Sequence, residues 1–312
     1  MKLAVVRRSL IVRLVGMSML LLLIVQAAGF AVVRATIDRN ARSQIARALD
    51  MDENVWRRLL EQNAERLRQG SALLAADYGF RSAVNSGDEE TIRSVLENHG
   101  HRIGAEVTAL LDTQLNLRSL SAASGTDDFQ GAVRQMAPLL ASQPQGSRMA
   151  VVGGMPYQFV MVPMRAPVVI GWVLMGFPVS QSLADEMRQL LSVHVALRVK
   201  GTDGGFSVPV STLPAEPLAL LRRAGIPSDE LDTGQGILLA RASPLDAVGG
   251  EVQALLLRSV DEVVAPYRQL QVLLAIITVA GVLLFAVGNG LMAQRVTTPM
   301  RSLLAATRRL SR

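Results

Sequence analysis

The sequence has no cysteine, only three histidines and few aromatic residues: two Trp, three Tyr and seven Phe in 312 residues. Without cysteine there are no disulfide bonds, which an oxidising compartment permits but does not require. His99 and His101 are the one pair that suggests a metal site, yet residues two apart on a helix point in different directions. His99 also lies on an apolar stripe, which favours a packed or hydrogen-bonded core histidine. We therefore expect no catalytic residues, no metal and no cofactor.

Charged residues are missing from two long stretches that enclose the rest of the chain. The first predicted span, residues 14–34, is uncharged up to Arg34, and the second is residues 269–294. Each is long enough to cross ~30 Å of hydrocarbon at ~1.5 Å per helical residue. The sequence thus predicts two transmembrane helices with a large polar segment between them. This geometry suits a protein that carries a signal across a membrane.

Acidic residues are also absent from the two flanks outside these spans, residues 1–13 and 295–312, which carry nine Lys and Arg residues. Short flanks rich in Lys and Arg remain in the cytoplasm. We therefore predict a multi-pass protein with both termini cytoplasmic and residues 35–268 outside. Removing those nine from the 32 cationic residues leaves 23 in the outer segment, against all 26 acidic residues. The net charge of the outer segment is therefore about −3. The high pI is a sign of topology, and we expect no nucleic-acid partner.

A cleaved signal peptide is the alternative interpretation of the first span. Its basic start fits, and Gln26-Ala27-Ala28-Gly29 is the best candidate for a cleavage site. The apolar run, however, is longer than the usual ~7–15 residues of a signal peptide. We expect an uncleaved anchor.

The outer segment begins with a stretch that lacks proline and has no glycine before Gly70. Apolar residues recur there at helical spacing, which predicts one long amphipathic helix over residues 36–75. Its apolar face can pack on its own domain or form the seam of a homodimer, and we expect a homodimer. A capping box at Ser86 and Glu89 then predicts the start of another helix.

The remaining outer segment predicts an α+β fold. A hairpin is expected around Asp112. Further strands are expected at 148–152, 155–164, 168–177, 193–200, 206–210, 236–242 and 251–257, with helices at 182–191 and 218–223. We divide the segment into a stalk helix with a membrane-distal module, residues 35–192, and a membrane-proximal module, residues 193–268.

The last residues contain a proline followed by a regular apolar pattern. After Pro299, the residues Met300, Leu303, Thr307 and Leu310 are spaced as in one helix of a coiled coil. This pattern resembles the first helix of a HAMP relay, truncated in residues 295–312. The alternative is a basic helix that rests on anionic lipid, so membrane lipid is an expected partner.

Pro266 stands at the other end of the second span. Each proline lacks a backbone donor, so we expect Pro266 to kink its helix and Pro299 to mark a bend or a restart. We assign Pro266, Pro299, Met300, Leu303 and Leu310 to a signal relay. The alternative is that the two prolines only shape the helices.

The outer segment as a whole, roughly residues 35–270, resembles a double-Cache sensor domain with a PAS-like antiparallel sheet. The stretches that carry the resemblance are Ala75-Ala-Asp-Tyr-Gly-Phe80, Asn98-His-Gly-His-Arg-Ile-Gly104, Ala109-Leu-Leu-Asp112, Pro156-Tyr-Gln-Phe-Val-Met-Val-Pro163, Gly171-Trp-Val-Leu-Met-Gly-Phe-Pro178 and Ala265-Pro-Tyr-Arg268. They are similar to the periplasmic sensors of bacterial inner-membrane GGDEF and EAL proteins, which make and degrade cyclic di-GMP. No GGDEF, EAL or histidine-kinase signature occurs in this sequence.

A pocket for a small polar ligand needs a few fixed polar groups among aromatic walls. Candidates in the distal module are Tyr78, Arg81, Arg102, Asp112, Tyr157, Arg165 and Trp172. Arg81 and Arg165 suit a carboxylate, because a guanidinium binds it through two parallel hydrogen bonds. The ligand would then be an organic acid or an amino acid. Core packing or a solvated surface charge is the alternative for each residue.

These observations predict a sensory receptor of the bacterial inner (plasma) membrane that is not itself an enzyme. Its periplasmic segment binds a small molecule and signals through the second span and HAMP to a cytoplasmic output, with cyclic di-GMP synthesis or degradation as the expected one. A histidine kinase or chemoreceptor front end is one alternative. A membrane-anchored extracytoplasmic enzyme or scaffold without a relay is the other.

Overall fold

The computed structural model describes residues 10–122, 126–143, 145–200, 205–224, 229–234 and 236–310. For residues 10–15, 126, 224 and 289–310 it describes the backbone alone. The chain divides into two compact units. One comprises residues 1–44 with 261–312, and the other comprises residues 45–260.

The first unit consists of parts of two long helices, α1 (Leu10–Ala76) and α7 (Val260–Leu310). Each contains a segment apolar and long enough to cross a membrane, within Gly16–Ala76 and Val260–Gly288. Apolar side chains in these segments are uncovered: Leu20 is 59% and Leu284 is 78% exposed. The prediction of two apolar helices flanking the outer segment is confirmed.

Helix α7 is assigned as one helix from Val260 to Leu310, and neither Pro266 nor Pro299 ends it. The expected restart at Pro299 is therefore not found. A proline in a helix removes one backbone hydrogen bond without necessarily breaking the helix, since its neighbours can still bond. The predicted seam at Met300, Leu303 and Leu310 depends on side chains that lie outside the described ones.

The second unit begins with the rest of α1, which confirms the predicted long helix, and continues into two short helices. The first is α2 (Tyr78–Ser86), ended by Gly87 at φ 75°, and the second is α3 (Glu89–Ile103). The predicted capping box is wrong. Ser86 is still helical, and the carboxylate of Asp88 caps α3 by accepting from the amide of Thr91 at 3.2 Å. The left-handed glycine places the cap two residues later than the Ser–Glu spacing suggested.

The distal sheet follows the predicted hairpins. Its strands are β1 (Val107–Leu111), β2 (Leu117–Ala122), β3 (Ser147–Val152), β4 (Met155–Arg165) and β5 (Val169–Pro178), which pair antiparallel. A sixth strand, β10 (Ala247–Val248), lies about 100 residues later in the chain and pairs parallel with β3. The order is β10-β3-β4-β5-β1-β2.

The alternation of side chains along these strands builds two cores, one on each face of the distal sheet. One face packs on residues of α1, α2 and α3, with Phe80 and Leu96 fully buried. The other face packs on α4 (Thr126–Ala141), which contributes Phe129 and Met136. Helix α4 was not predicted from the sequence.

The proximal module follows α5 (Gln181–Leu191) and contains the helix α6 (Ala215–Ala224). Its strands are β6 (His194–Lys200), β7 (Phe206–Ser211), β8 (Glu230–Asp232), β9 (Ile237–Leu245) and β11 (Glu251–Ser259). The order is β7-β6-β11-β9-β8, antiparallel throughout. An apolar core under α6 includes Leu221, Leu255 and Leu257. The four predicted strands are confirmed, and β8 and β10 were not predicted.

Candidate functional site

A half-open cleft lies where the distal and proximal modules meet inside the second unit. Its volume is about 650 Å³, within the ~300–1,000 Å³ typical of small-ligand sites. Helix α4 supplies Asp128 and Gln135, the β3–β4 hairpin supplies Gly153 and Gly154, and other walls come from Val248–Gly249 and Gly205–Ser207. The cleft can therefore admit a small molecule next to the α4 core.

Glycines permit the close backbone approach that shapes this cleft. A Cβ atom on Gly249 would lie 3.0 Å from the carbonyl oxygen of Val151, and one on Gly250 would lie 2.6 Å from that of Lys200. Gly249 also has φ 80°, which other residues rarely adopt. The turn between β10 and β11 can rest directly on β3 because these positions carry no side chain.

A second cleft, of about 610 Å³, runs along β2, which is the edge strand of the distal sheet. Helix α3 lines it with Glu89, Arg93 and Glu97, and helix α4 lines it with Gln130 and Arg134. Both signs of charge are present, and the cleft has few apolar walls. It lacks the apolar surface that encloses most small ligands.

Tyr157, a predicted site residue, lies in the core beneath α4. It is 6% exposed, and its ring meets that of Phe129 edge to face at 5.2 Å between centroids. Its hydroxyl donates to Oε2 of Glu106 at 2.6 Å. Burial raises the pKa of Tyr157, and the hydrogen bond and charge of Glu106 raise it further. Ala150, which pairs with Tyr157 across the strands, lines the 650 Å³ cleft.

Trp172 is half-buried against the same core and was predicted to lie on a strand beside Tyr157. The two strands do pair. Trp172, however, stands opposite Pro163, whereas Tyr157 stands opposite Pro178. The two positions are therefore six residues apart along β4, which is about 20 Å along a strand. The two side chains share a face of the sheet without forming one pocket wall.

Arg81 and Arg165 meet through a single contact. Nη1 of Arg81 donates to the backbone carbonyl of Arg165 at 3.1 Å, and the side chain of Arg165 is exposed. Tyr78, at the start of α2, is 80% exposed, and Arg102, in the last turn of α3, is exposed as well. These four predicted site residues thus lie on the surface or at its edge, and none lines either cleft.

Asp112, the last of the predicted site residues, holds the β1–β2 turn. Its carboxylate accepts from the amides of Gln114 and Asn116 at 2.8 Å and from Nδ2 of Asn116 at 2.9 Å. The hydrogen bonds from Asn116 are the main reason why the pKa of Asp112 lies below its usual value. The arrangement accounts for Asp112 as a turn residue.

A cluster of ion pairs that the sequence analysis missed joins α1 to the proximal sheet. Nη2 of Arg258 donates to Oδ2 of Asp52 at 3.0 Å and to the carbonyl of Leu191, at the end of α5, at 2.7 Å. The hydroxyl of Ser243 donates to Glu53 at 2.9 Å. An ion pair between Asp50 and Arg241 lies beside them. The charged group of Arg258 therefore touches two helices from a third element, β11.

The two carboxyl groups Asp52 and Glu53 differ in how their surroundings shift the pKa. Burial raises the pKa of Asp52, and the charge and hydrogen bond of Arg258 only partly oppose this. Burial also acts on Glu53, but hydrogen bonds from Ser243 and Arg57 outweigh it and hold the pKa below its usual value. Two features of the sequence could have indicated this cluster. Three acidic residues lie in the four-residue stretch 50–53 of an arginine-rich helix, and Arg241 and Ser243 lie on the same face of a strand.

Among the described residues, no group of three or more His, Asp or Glu side chains is placed to hold a metal ion. His99 is half-buried and His101 is exposed.

The family of the chain follows from its sequence. Residues 42–261 match a family model described as the double sensory domain of two-component sensor kinases, dCache_3. The chain belongs to the dCache_3 family. This match confirms the double-Cache resemblance for the outer segment and identifies it as a sensory domain. The family description names sensor kinases and mentions neither HAMP nor cyclic di-GMP enzymes.

Several solved structures resemble the chain at low identity. The periplasmic domain of Vibrio cholerae LuxQ is 13% identical with a TM-score of 0.47, covering 67% of this chain and 98% of that one. The sensor domain of the V. cholerae histidine kinase DctB is 15% identical with a TM-score of 0.40, covering 68% and 97%. The ligand-binding domain of the Campylobacter jejuni chemoreceptor Tlp3, in complex with L-valine, is 9% identical with a TM-score of 0.39, covering 72% and 97%. No curated protein matches the sequence.

Proposed function

We propose that this chain is the sensing part of a bacterial inner-membrane receptor that binds a small molecule in the periplasm and signals to a cytoplasmic output. The observation that carries the proposal is the position of the sensory domain between two helices long and apolar enough to span a membrane. Helix α7 begins at Val260, directly after the last strand of the sensory domain ends at Ser259. A change in that strand therefore reaches α7 without an intervening loop.

The ligand site that we propose is the distal module next to α4, with the 650 Å³ cleft as the route of access. Tyr157 and Trp172 belong to the core under α4, and Ala150 and Val152 of that core also line the cleft. Arg81 and Arg165 remain candidates for binding a carboxylate at the opposite face. An organic acid or an amino acid is the ligand class that these arginines favour.

The output that we propose is a two-component kinase, in keeping with the family description. Cyclic di-GMP synthesis or degradation, the output expected from the sequence, is the second candidate. A HAMP helix beginning after residue 295, a relay through Pro266 and Pro299, a homodimer and contact with anionic lipid complete the proposal. Both termini would be cytoplasmic.

The proposal can be tested by joining residues 1–312 to the remainder of the HAMP module and the kinase segment of a receptor with a known output. Autophosphorylation in membrane vesicles would be measured against a panel of amino acids and organic acids. We expect at least one compound to change the rate, and Trp172→Ala to abolish the response while the kinase stays active. Arg118→Ala, an exposed change at the second cleft, is the control and should respond normally. A kinase that ignores the whole panel would contradict the proposal.

A further inference from the structure

One end of the proximal sheet carries polar residues on the face that α6 covers elsewhere with an apolar core. Two cross-strand pairs of β6 and β11 lie there: Arg198 opposite Gln253, and Lys200 opposite Glu251. Phe206, at the start of β7, completes the group. We refer to these five residues as the polar end. It lies in the proximal module, apart from the distal core that contains Tyr157.

Arg198 is buried in the polar end without a hydrogen bond to Nη1. The residue is 5% exposed, and its guanidinium carbon lies 3.5 Å from the centroid of the Phe206 ring. Within the described part of the chain, no group accepts from the buried Nη1. Burial lowers the pKa of Arg198, although the charge of Glu251 opposes this. The guanidinium nonetheless keeps its charge, because an arginine is not deprotonated in proteins.

Gln253 has a buried acceptor atom that is also unpaired in the described structure. Its Oε1 is buried, and among the described residues no donor reaches it. Glu251, the acidic residue of the polar end, accepts from Nζ of Lys200 at 3.4 Å. Buried polar atoms are nearly always paired, because leaving one unpaired forfeits the hydrogen bonds that it would make to water. Nη1 of Arg198 and Oε1 of Gln253 are a donor and an acceptor on opposed residues, yet no hydrogen bond joins them among the described residues. A small molecule that accepts from Nη1 and donates to Oε1 would pair both atoms.

We propose that the polar end is a second ligand site, for a small carboxylic acid with an amino or hydroxyl group next to its carboxylate. The carboxylate accepts from the guanidinium of Arg198, and the N–H or O–H donates to Oε1 of Gln253. Directly opposed residues of an antiparallel pair have Cβ atoms about 5 Å apart, which suits the short separation of the two groups in an α-amino or α-hydroxy acid.

Phe206 gives such an acid a route to Arg198. The residue is 53% exposed and lines the 650 Å³ cleft, and its ring covers the Arg198 guanidinium. Rotation of this exposed ring uncovers the guanidinium on the side of the cleft. The returned ring then shields the ion pair from water, which strengthens it.

The test uses the full chain in lipid nanodiscs, with thermal unfolding followed by intrinsic tryptophan fluorescence. The probes are L-alanine and L-lactate, which carry both groups, acetate, which has only the carboxylate, and methylammonium, which has only the donor. We expect L-alanine or L-lactate at millimolar concentration to raise the melting temperature more than acetate does, and methylammonium to have no effect. No increase with either L-alanine or L-lactate would overturn the proposal.

Variants then place the binding at the polar end. Arg198→Met and Gln253→Leu should each weaken binding by roughly tenfold or more, because each removes a buried hydrogen bond, one of them to a charged group. The double variant should melt no lower than the parent without the acid, since both unpaired groups are gone. It should also lose the ligand-induced increase.

Controls separate this site from the distal one. Arg118→Ala changes an exposed cation outside the polar end and should keep the increase, as should Trp172→Ala in the distal core. An increase that persists in the double variant, or that disappears only in Trp172→Ala, would overturn the assignment to the polar end. If the double variant melts well below the parent, or fails to fold, while Gln253→Leu alone binds normally, the two polar groups serve the fold and the proposal is wrong.

Discussion

The ion pair between Arg258 and Asp52 offers a sharp test of how α1 is held to the proximal sheet. The Asp52 side chain is 6% exposed and that of Arg258 is 22% exposed. Arg258→Met keeps most of the aliphatic stem, removes the charge, and leaves the Asp52 carboxylate buried without its cation. It also frees the carbonyl of Leu191, which accepts from Arg258 in the parent.

The expected loss of stability in Arg258→Met follows from the burial of the Asp52 carboxylate. Removing one partner of a buried ion pair costs about 3–5 kcal/mol, because the other charge stays buried and uncompensated. We expect the lower end, about 3 kcal/mol, since Asp52 can take up a proton instead of remaining charged. For a unit of this size, each kcal/mol lowers the melting temperature by about 2–4 °C, so the decrease should be about 6–12 °C.

The loss should depend on pH with a defined sign. The folded-state pKa of Asp52 already lies above its usual value because of burial, and Arg258 opposes that rise. Without Arg258 the folded-state pKa moves further up. A group whose pKa is raised by folding loses its stabilising contribution as pH rises through that folded pKa. The gap between variant and parent should therefore widen between the two folded pKa values, and be larger near neutral pH than in mild acid.

The assay is thermal unfolding of the full chain in nanodiscs at one scan rate, with two controls. Arg268→Met removes an exposed pair with Asp261, whose side chains are 65% and 47% exposed, and should cost less than about 1 kcal/mol. The gap between Asp52→Asn and the Asp52→Asn/Arg258→Met double variant should not depend on the titration of residue 52, because neither protein carries its carboxylate. The reasoning is refuted if Arg258→Met lowers the melting temperature no more than Arg268→Met does.

Two further predictions concern packing and topology. Gly176→Ala should destabilise the distal module by about 1–3 kcal/mol, because the new Cβ would lie 2.6 Å from Phe159. Gly131→Ala, in a helix and with nothing within 4 Å of the new atom, should stabilise slightly; equal melting temperatures for the two variants would contradict this. A phosphatase reporter that works only outside the cytoplasm should be active when fused near Gly125 and inactive after Arg312, and activity at the second point would refute the predicted topology.

Most predicted strands were recognisable because they are runs rich in Val, Leu, Met and aromatic residues that end at turn signals such as Gly153-Gly154. Helix α4 was missed because Gly131 and Pro138 interrupt its pattern, although its buried residues supply enough packing to keep it helical. Strand β10 has only two residues, and it exists by pairing with β3 of the other module. No local pattern in a sequence indicates such a partner.

The site was harder to predict because it depends on register. The sequence identified Tyr157 and Trp172 as residues of neighbouring strands, but their separation along the sheet follows from which residues pair. The same holds for Arg198 and Gln253, which are far apart in the chain and adjacent only because β6 pairs with β11 in one register. Residue type suggests a candidate, and register decides which candidates meet.

The contacts of Arg258 also bear on how a ligand could change this sensory domain. A ligand shifts a two-state equilibrium only as far as its affinity for the two states differs. The contacts of Arg258 join α1, the end of α5 and β11, and Val260 opens α7 two residues later. Helix α5 is the segment that connects the two sheets along the chain. A displacement of α5 that breaks its bond to Arg258 would thus alter the strand that leads into α7, and we expect the two states to differ at this contact.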